Sequence, residues 1–151
     1  METRRTKHML RRVVLPLAFL LSGAISAYCQ QKDVVPGPKT LPYSDGIVVG
    51  NTLYIAGQTG EDENRRIVNR GIGPETQAAL GNLAKVLKAA GFKLTDVVAV
   101  TVYLADLNEF EAMNKVYRGF MPDPKPTRTT VQVVRLVDEA RIEISAIAVK
   151  Q

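Results

Sequence analysis

Residues 125–149, KPTRTTVQVVRLVDEARIEISAIAV, predict two β-strands that each carry one polar side chain of interest. Arg128 follows Pro126 and precedes a β-branched run, which is typical of the start of a strand. Glu143 lies between two isoleucines, so the two-residue period of a strand turns it to the opposite face from them. We expect the two strands to be neighbours. A permanent cation and a carboxylate could then hold a small carboxylic acid and activate a water molecule beside it.

The remaining chain predicts two helices. The first starts at Pro74, with proline in the first helical position, and ends at Gly91, which suits a left-handed cap. The second starts at Asp106, in a variant of the capping box, and is stopped by Pro122. The apolar stripe of the first helix consists of Leu80, Leu83 and Leu87, and that of the second of Phe110, Met113, Tyr117 and Phe120.

Five strands complete the domain. The order β-β-α-β-α-β-β predicts an α+β fold with both helices on one face of the sheet. The continuous apolarity of residues 97–104 indicates a strand that is buried on both faces. The predicted strands are residues 46–50, 52–56, 97–104, 129–136 and 141–149, with an extended lead-in at 30–41 and a polar loop at 60–73.

The first 29 residues have the pattern of a secretory signal. Five basic residues precede the apolar run 13–21, and small residues follow it. We expect cleavage after Ala27 or Cys29, with an uncleaved anchor as the alternative. The chain then divides into a signal peptide, residues 1–29, and one domain, residues 30–151. This predicts an exported protein, periplasmic or secreted, that has no membrane attachment once the signal is removed.

The charge of the chain belongs mostly to this first segment. Residues 1–29 carry five of the 20 basic residues and one of the 15 acidic residues, which leaves 15 basic and 14 acidic residues, a net charge of +1. A nucleic-acid surface needs clustered cations that displace counterions from phosphates. We therefore expect no nucleic-acid partner for the domain.

The rare residue types exclude several kinds of chemistry. The only histidine is His8 and the only cysteine is Cys29, so residues 30–151 contain neither an imidazole nor a thiol. This excludes zinc sites built from these ligands and Ser-His-Asp or Cys-His relays in the domain. We expect no metal and no cofactor. Any reaction would depend on carboxylates, arginine, lysine, hydroxyl groups and the backbone.

An ordered set of short motifs across residues 36–150 resembles the Rid family, also called YjgF-like or endoribonuclease L-PSP. Each motif is weak alone, and their shared order and spacing carry the resemblance. The motifs are Pro42-Tyr43-Ser44, Leu53-Tyr54-Ile55-Ala56-Gly57-Gln58, Thr76-Gln77, Ala90-Gly91, Asp96-Val97-Val98, Val102-Tyr103-Leu104, Asn114 with Tyr117, Pro126-Thr127-Arg128 and Ile142-Glu143-Ile144.

The resemblance implies a chorismate-mutase-like homotrimer with pockets between subunits. It implies cofactor-free hydrolysis of reactive 2-imino or 2-enamino acids to 2-keto acids and ammonia, an activity of the 2-iminobutanoate/2-iminopropanoate deaminase type. Arg128 matches the family arginine that binds the substrate carboxylate. Glu143 matches the glutamate that positions or activates the water. From the residues alone, Arg128 could instead be a solvated strand-end side chain, and Glu143 could pair with Arg141 or Arg135.

Four further residues are candidates for substrate binding by the same resemblance. Tyr43 matches a tyrosine that closes the pocket, although it could be a packing residue in a turn. Gly57 matches a glycine whose backbone lines the pocket, although close backbone approach alone would explain it. Thr130 stands where many members carry a cysteine, and it could simply favour the strand. Asn114 could contact the substrate or bond to nearby backbone.

Two other functions remain open at this point. A non-catalytic member of the same fold would bind small carboxylates or another protein. A ribonuclease, which one of the family names suggests, would need a phosphate-binding surface. The chain also differs from the family pattern at Asp45, at Thr59-Gly60 and at Ser145, positions that bear on substrate preference.

Overall fold

The computed structural model describes residues 31–37, 41–68 and 71–151. These residues form one six-stranded mixed sheet in the order β1-β2-β3-β6-β4-β5, in which only the β4–β5 pair is parallel. The predicted α+β class with two helices is confirmed. The elements are β1 (Lys32–Val35), β2 (Gly46–Val49), β3 (Thr52–Thr59), α1 (Ile72–Ala89), β4 (Val97–Leu104), α2 (Phe110–Phe120), β5 (Thr127–Gln132) and β6 (Ile142–Val149).

Helix α1 forms where its apolar period predicted it, because its leucine stripe is the centre of the core. Leu80 and Leu83 are fully buried and Leu87 is nearly so. Gly91 ends the helix with φ of 73°, and Phe92 N–H donates to the Leu87 carbonyl in a Schellman arrangement. The helix begins at Ile72, two residues before Pro74, the start that was predicted from the sequence.

Both helices cover the same face of the sheet, as predicted. Alternate residues of β4 and β6 point into this core, among them Val102 and Ile144, which are fully buried. The opposite face of β4 is open in the single chain, where Val98 is 45% exposed. The prediction that β4 is buried on both faces is therefore wrong for the chain by itself.

Two strand predictions need correction. The lead-in contains a strand, β1, which pairs antiparallel with β2 and adds a sixth strand to the expected five. The strand predicted at residues 129–136 spans Thr127–Gln132 instead. Its partner β4 ends at Leu104, opposite Gln132, so no neighbour remains to extend the ladder. Val134 is consequently fully exposed.

The two C-terminal strands are not neighbours, which corrects the expected arrangement of Arg128 and Glu143. Strand β4 lies between β5 and β6. Arg128 is paired with Val100 of β4, whose side chain faces the helices. Glu143 is paired with Tyr103 and alternates with core isoleucines, so it lies on the other face. The sheet therefore separates the two side chains within one chain.

No helix in the described residues is long and apolar enough to cross a membrane. Within residues 31–37, 41–68 and 71–151, no cluster of three or more acidic, histidine or cysteine side chains has the geometry to hold a metal ion.

Candidate functional site

Arg128 lies on the helix-covered face of edge strand β5, where α2 holds its guanidinium in place. Its Nη2 donates a hydrogen bond of 2.7 Å to Asn114 Oδ1. The guanidinium carbon lies 4.5 Å from the centre of the Tyr117 ring and 5.8 Å from that of Phe110. These are distances of cation–π contacts, which stabilise a cation without neutralising it. Arg128 is thus held by three uncharged side chains from two successive turns of α2.

No carboxylate in the described part of the chain forms an ion pair with Arg128. A half-buried guanidinium normally has an acidic partner, because desolvation of an unpaired charge is costly. The positive charge of Arg128 is therefore available to an anion. The predicted alternative, a solvated strand-end arginine, does not describe this environment.

A cavity of about 360 Å³ opens beside Arg128. Thr130 lies two residues further along β5, on the same face, and its Oγ1 is buried without a hydrogen-bond partner among the described residues. The hydroxyl group of Tyr117 is in the same condition, and burial raises its pKa. We call this space the Arg128 cavity, lined by Asn114, Tyr117, Arg118, Lys125, Pro126 and Arg128.

Glu143 lines a second cavity, also of about 360 Å³, at the other end of the candidate site. The register of β3 against β6 is interrupted between Ile55 and Gln58, and this bulge brings Gly57 under the carboxylate. A side chain at residue 57 would overlap Glu143, because a Cβ there would lie 1.8 Å from Oε1. Burial raises the pKa of Glu143 above its ordinary value. We call this space the Glu143 cavity.

The rest of the Glu143 cavity is mixed, with polar side chains beside the apolar Leu41, Ala56 and Val137. Tyr43 contributes a ring that is 52% exposed, and Asp45 lies beside it. Burial raises the pKa of Asp45, while the nearby Arg65 lowers it. Arg65 forms an ion pair of 3.4 Å with Glu61 across the mouth of the cavity. The cavity could therefore hold a small polar ligand next to the carboxylate of Glu143.

The structure thus divides the predicted site residues into two groups. Arg128 and Asn114 meet directly, and Thr130 is on the same strand face. Tyr43, Gly57 and Glu143 meet in the other cavity. The sequence assigned Tyr117 only to the core, but its ring also contacts the guanidinium of Arg128. Its spacing of three residues from Asn114 on α2 was the available signal, because such pairs share a helix face.

The predicted alternative for Glu143, a cross-strand ion pair, is wrong. Arg141 forms its ion pair with Glu109, and Arg135 forms one of 3.8 Å with Glu139. Burial raises the pKa of Glu143, and among the described residues no neighbouring arginine offsets this effect.

Gly57→Ala is expected to destabilise the protein by about 1–3 kcal/mol, because the added methyl group overlaps the Glu143 carboxylate and the two must separate. Thermal unfolding measures this change. The matched control is Gly81→Ala in α1, where a Cβ would meet nothing within 4 Å. The cost should shrink when Gly57→Ala is made together with Glu143→Ala. An equal cost in both backgrounds would contradict the contact.

Comparison with known proteins identifies relatives along most of the chain. A family model described as endoribonuclease L-PSP matches residues 37–150. A RutC family protein of Pyrococcus horikoshii is 46% identical over 116 residues, which is 76% of this chain and 92% of the relative. The human protein named 2-iminobutanoate/2-iminopropanoate deaminase is 41% identical over 110 residues, 72% of this chain and 80% of the human protein.

Solved structures with the same fold belong to the same group of proteins. RidA from the Antarctic bacterium Psychrobacter has a TM-score of 0.71 and 34% identity, covering 80% of this chain and 98% of its own. Escherichia coli TdcF with bound serine has a TM-score of 0.70 and 31% identity, covering 78% and 94%. The structural neighbours share the chorismate-mutase-like α+β fold that the resemblance implied.

The expectation of a signal peptide and a secreted protein is corrected, because the family match begins at residue 37 and the named relatives support neither feature. The prediction relied on basic and apolar composition in residues 1–29, which lie outside the described residues and before the matched region. Composition of this kind is a weak indicator when nothing in the matched relatives accompanies it. The division of the chain between residues 29 and 30 stays a prediction.

The match is extensive enough to decide the family. The family model covers residues 37–150, and the relatives above 40% identity align with more than two thirds of the chain. The predicted resemblance is confirmed. The chain belongs to the endoribonuclease L-PSP family, which is also known as the YjgF/Rid family.

Proposed function

We propose that this protein hydrolyses reactive 2-imino and 2-enamino acids to 2-keto acids and ammonia. Several mammalian relatives, including the human and goat proteins, are named 2-iminobutanoate/2-iminopropanoate deaminase. The observation that carries the proposal is the state of Arg128, a half-buried guanidinium that is fixed by Asn114 and Tyr117 and left without an acidic partner in the described residues.

Arg128 would bind the carboxylate of the imino acid. A guanidinium presents two parallel N–H groups that match the two oxygens of a carboxylate. Because α2 already holds the side chain, little of its conformational entropy remains to be lost on binding. The bound carboxylate fixes the position of the adjacent imine carbon, which turns a loose encounter into an oriented one.

Glu143 would accept a proton from the attacking water. The water oxygen forms a bond to the imine carbon as the C=N double bond becomes single, and the nitrogen takes up a proton. The C–N bond of the resulting carbinolamine then breaks as its hydroxyl proton passes to the nitrogen and the C=O bond forms, which releases ammonia. A carboxylate whose pKa is raised by burial is a stronger base than an exposed one. The products are a 2-keto acid and ammonia.

The two halves of the site would meet between subunits. In one chain, Arg128 faces the helices and Glu143 the opposite side of the sheet. A homotrimer, which is typical of this family fold, could bring the Arg128 cavity of one subunit against the Glu143 cavity of the next. Asn114 and Thr130 would then come from the first subunit, and Tyr43 and Gly57 from the second.

The test of the proposed activity is ammonia release from freshly generated 2-iminopropionate and 2-iminobutanoate, compared with the spontaneous rate. We expect a rate that is proportional to the protein concentration and needs no added cofactor. A rate equal to the spontaneous one for both imines would contradict the proposed activity and would favour a non-catalytic binding protein of the same fold.

The shared site is tested by mixing subunits. Arg128→Ala chains and Glu143→Gln chains, refolded together in equal amounts, are expected to recover about a quarter of the wild-type activity. The reason is that a site is intact only where a chain with Arg128 meets a chain with Glu143 in the required order. Each variant refolded alone is the control. Failure to recover activity, in mixtures that are shown to be trimeric, would place both residues of a site in the same chain.

A further inference from the structure

The Arg128 cavity is lined by three cationic side chains, although one carboxylate needs only one. Arg118, Lys125 and Arg128 all line the same space of about 360 Å³. Arg118 follows Asn114 by four residues in α2, so the two side chains project from the same helix face. The proposed hydrolysis of a monocarboxylic imine gives no role to the two additional charges.

Lys125 contributes a fixed charge rather than a free ligand group. Its Nζ donates to the backbone carbonyls of Arg118 and Met121, at the C-terminal end of α2. It also lies 3.5 Å from the carboxylate of Asp123, which is 84% exposed. These contacts hold Lys125 at the cavity wall and offset the negative end of the helix dipole there.

Arg118 is the cation that is free to bind. Its side chain is exposed, and it forms no ion pair within the described ranges of the chain. An arginine at the mouth of a cavity can turn its planar fork toward a second carboxylate without disturbing the first. Arg128 at the buried end and Arg118 at the open end therefore offer two anion sites in one cavity.

We propose that the preferred substrates are 2-imino dicarboxylic acids, the imines and enamines of acidic amino acids. This inference deepens the proposed function and depends on it for the identity of the reaction. Arg128 binds the carboxylate next to the imine, and Arg118 binds the distal carboxylate. The Glu143 cavity carries the acids Asp45, Glu61 and Glu143 against one arginine, Arg65, and this excess of negative charge repels a second anion. The distal carboxylate is thereby directed toward Arg118.

Binding of the stable keto products tests the preference without requiring catalysis. We expect wild-type protein to bind 2-oxoglutarate about tenfold more tightly than 2-oxobutanoate, the size of one charge-assisted hydrogen bond at a partly exposed site. Arg118→Gln should reduce this ratio to about one. Arg118→Lys should restore part of the ratio. The preference should also weaken as the ionic strength rises.

The matched control is Lys115→Gln, which removes one positive charge from the same helix outside the Arg128 cavity. It should retain the full preference. Equal affinity of the wild type for both keto acids would overturn the inference. So would dissociation of the oligomer in Arg118→Gln, because it would assign the side chain to subunit contact.

The kinetic arm separates this inference from the proposed function. Ammonia release is compared for 2-iminoglutarate and 2-iminobutanoate, and kcat/KM should favour the dicarboxylate by a similar factor in wild type only. Hydrolysis of 2-iminobutanoate alone would support the reaction and overturn the substrate class. Tight binding of 2-oxoglutarate with no hydrolysis of either imine would overturn the reaction and the substrate class together, and would leave a dicarboxylate-binding cavity.

Discussion

Replacing Arg128 with alanine is expected to lower kcat/KM for imine hydrolysis by about 100- to 20,000-fold. A hydrogen bond to a charged group contributes about 1.5–3 kcal/mol, and the substitution removes both hydrogen bonds between the guanidinium and the substrate carboxylate. Each 1.4 kcal/mol corresponds to about a tenfold change in rate. Arg128→Lys should recover only part of the loss, since a lysine keeps the charge but cannot form the planar fork.

The control for this substitution is Arg135→Ala. Arg135 is 76% exposed and pairs with the equally exposed Glu139, so its removal takes away the same charge without affecting either cavity. Ammonia release from 2-iminobutanoate is measured for each variant, with circular dichroism and gel filtration to establish that it is folded and has the same oligomeric state as the wild type. Rates within threefold of wild type for folded Arg128→Ala would exclude the carboxylate-binding role.

Glu143→Gln is expected to lower kcat by about 100- to 10,000-fold, the range that general acid–base catalysis contributes. An amide has nearly the same shape as the carboxylate but does not accept a proton from water. The substitution should leave KM nearly unchanged, because Glu143 acts on the water rather than on the substrate carboxylate. Steady-state kinetics on 2-iminopropionate separates the two constants, and Glu139→Gln, at an exposed carboxylate, is the control.

The pH dependence of kcat follows from the same residue. Only the ionised form of Glu143 accepts a proton, so activity is lost as the pH falls through its pKa. Burial raises that pKa, and the acid limb should therefore lie above the ordinary glutamate value of 4.5. An acid limb at or below 4.5 would mean that a different group is the base, or that a cation offsets the effect of burial.

The helices were predictable from the sequence because their signals are local. The leucine stripe of α1 and its glycine cap lie within 18 residues of one another, and the structure places them as the apolar period indicated. Strand β4 was also located correctly, since its β-branched run has clear limits. Strand β1 was missed because four residues, KDVV, give too short an alternation to be distinguished from an extended lead-in.

The arrangement of the site could not be predicted in the same way. Periodicity shows which face of a strand a residue occupies, but not which strands become neighbours. The insertion of β6 between β3 and β4 depends on pairings between residues far apart in sequence, such as Tyr103 with Glu143, which are 40 residues apart. Arg128 and Glu143 were therefore identified as individual candidates, while their proximity in one chain was wrongly expected.

Opposite placement of Arg128 and Glu143 on the sheet has a consequence for dilute solutions. If each reaction centre needs both faces, an isolated chain is inert, and specific activity decreases once the protein is diluted below the dissociation constant of its assembly. Substrate that bridges two chains would oppose this loss and hold them together. Substrate binding and subunit association would then be coupled equilibria.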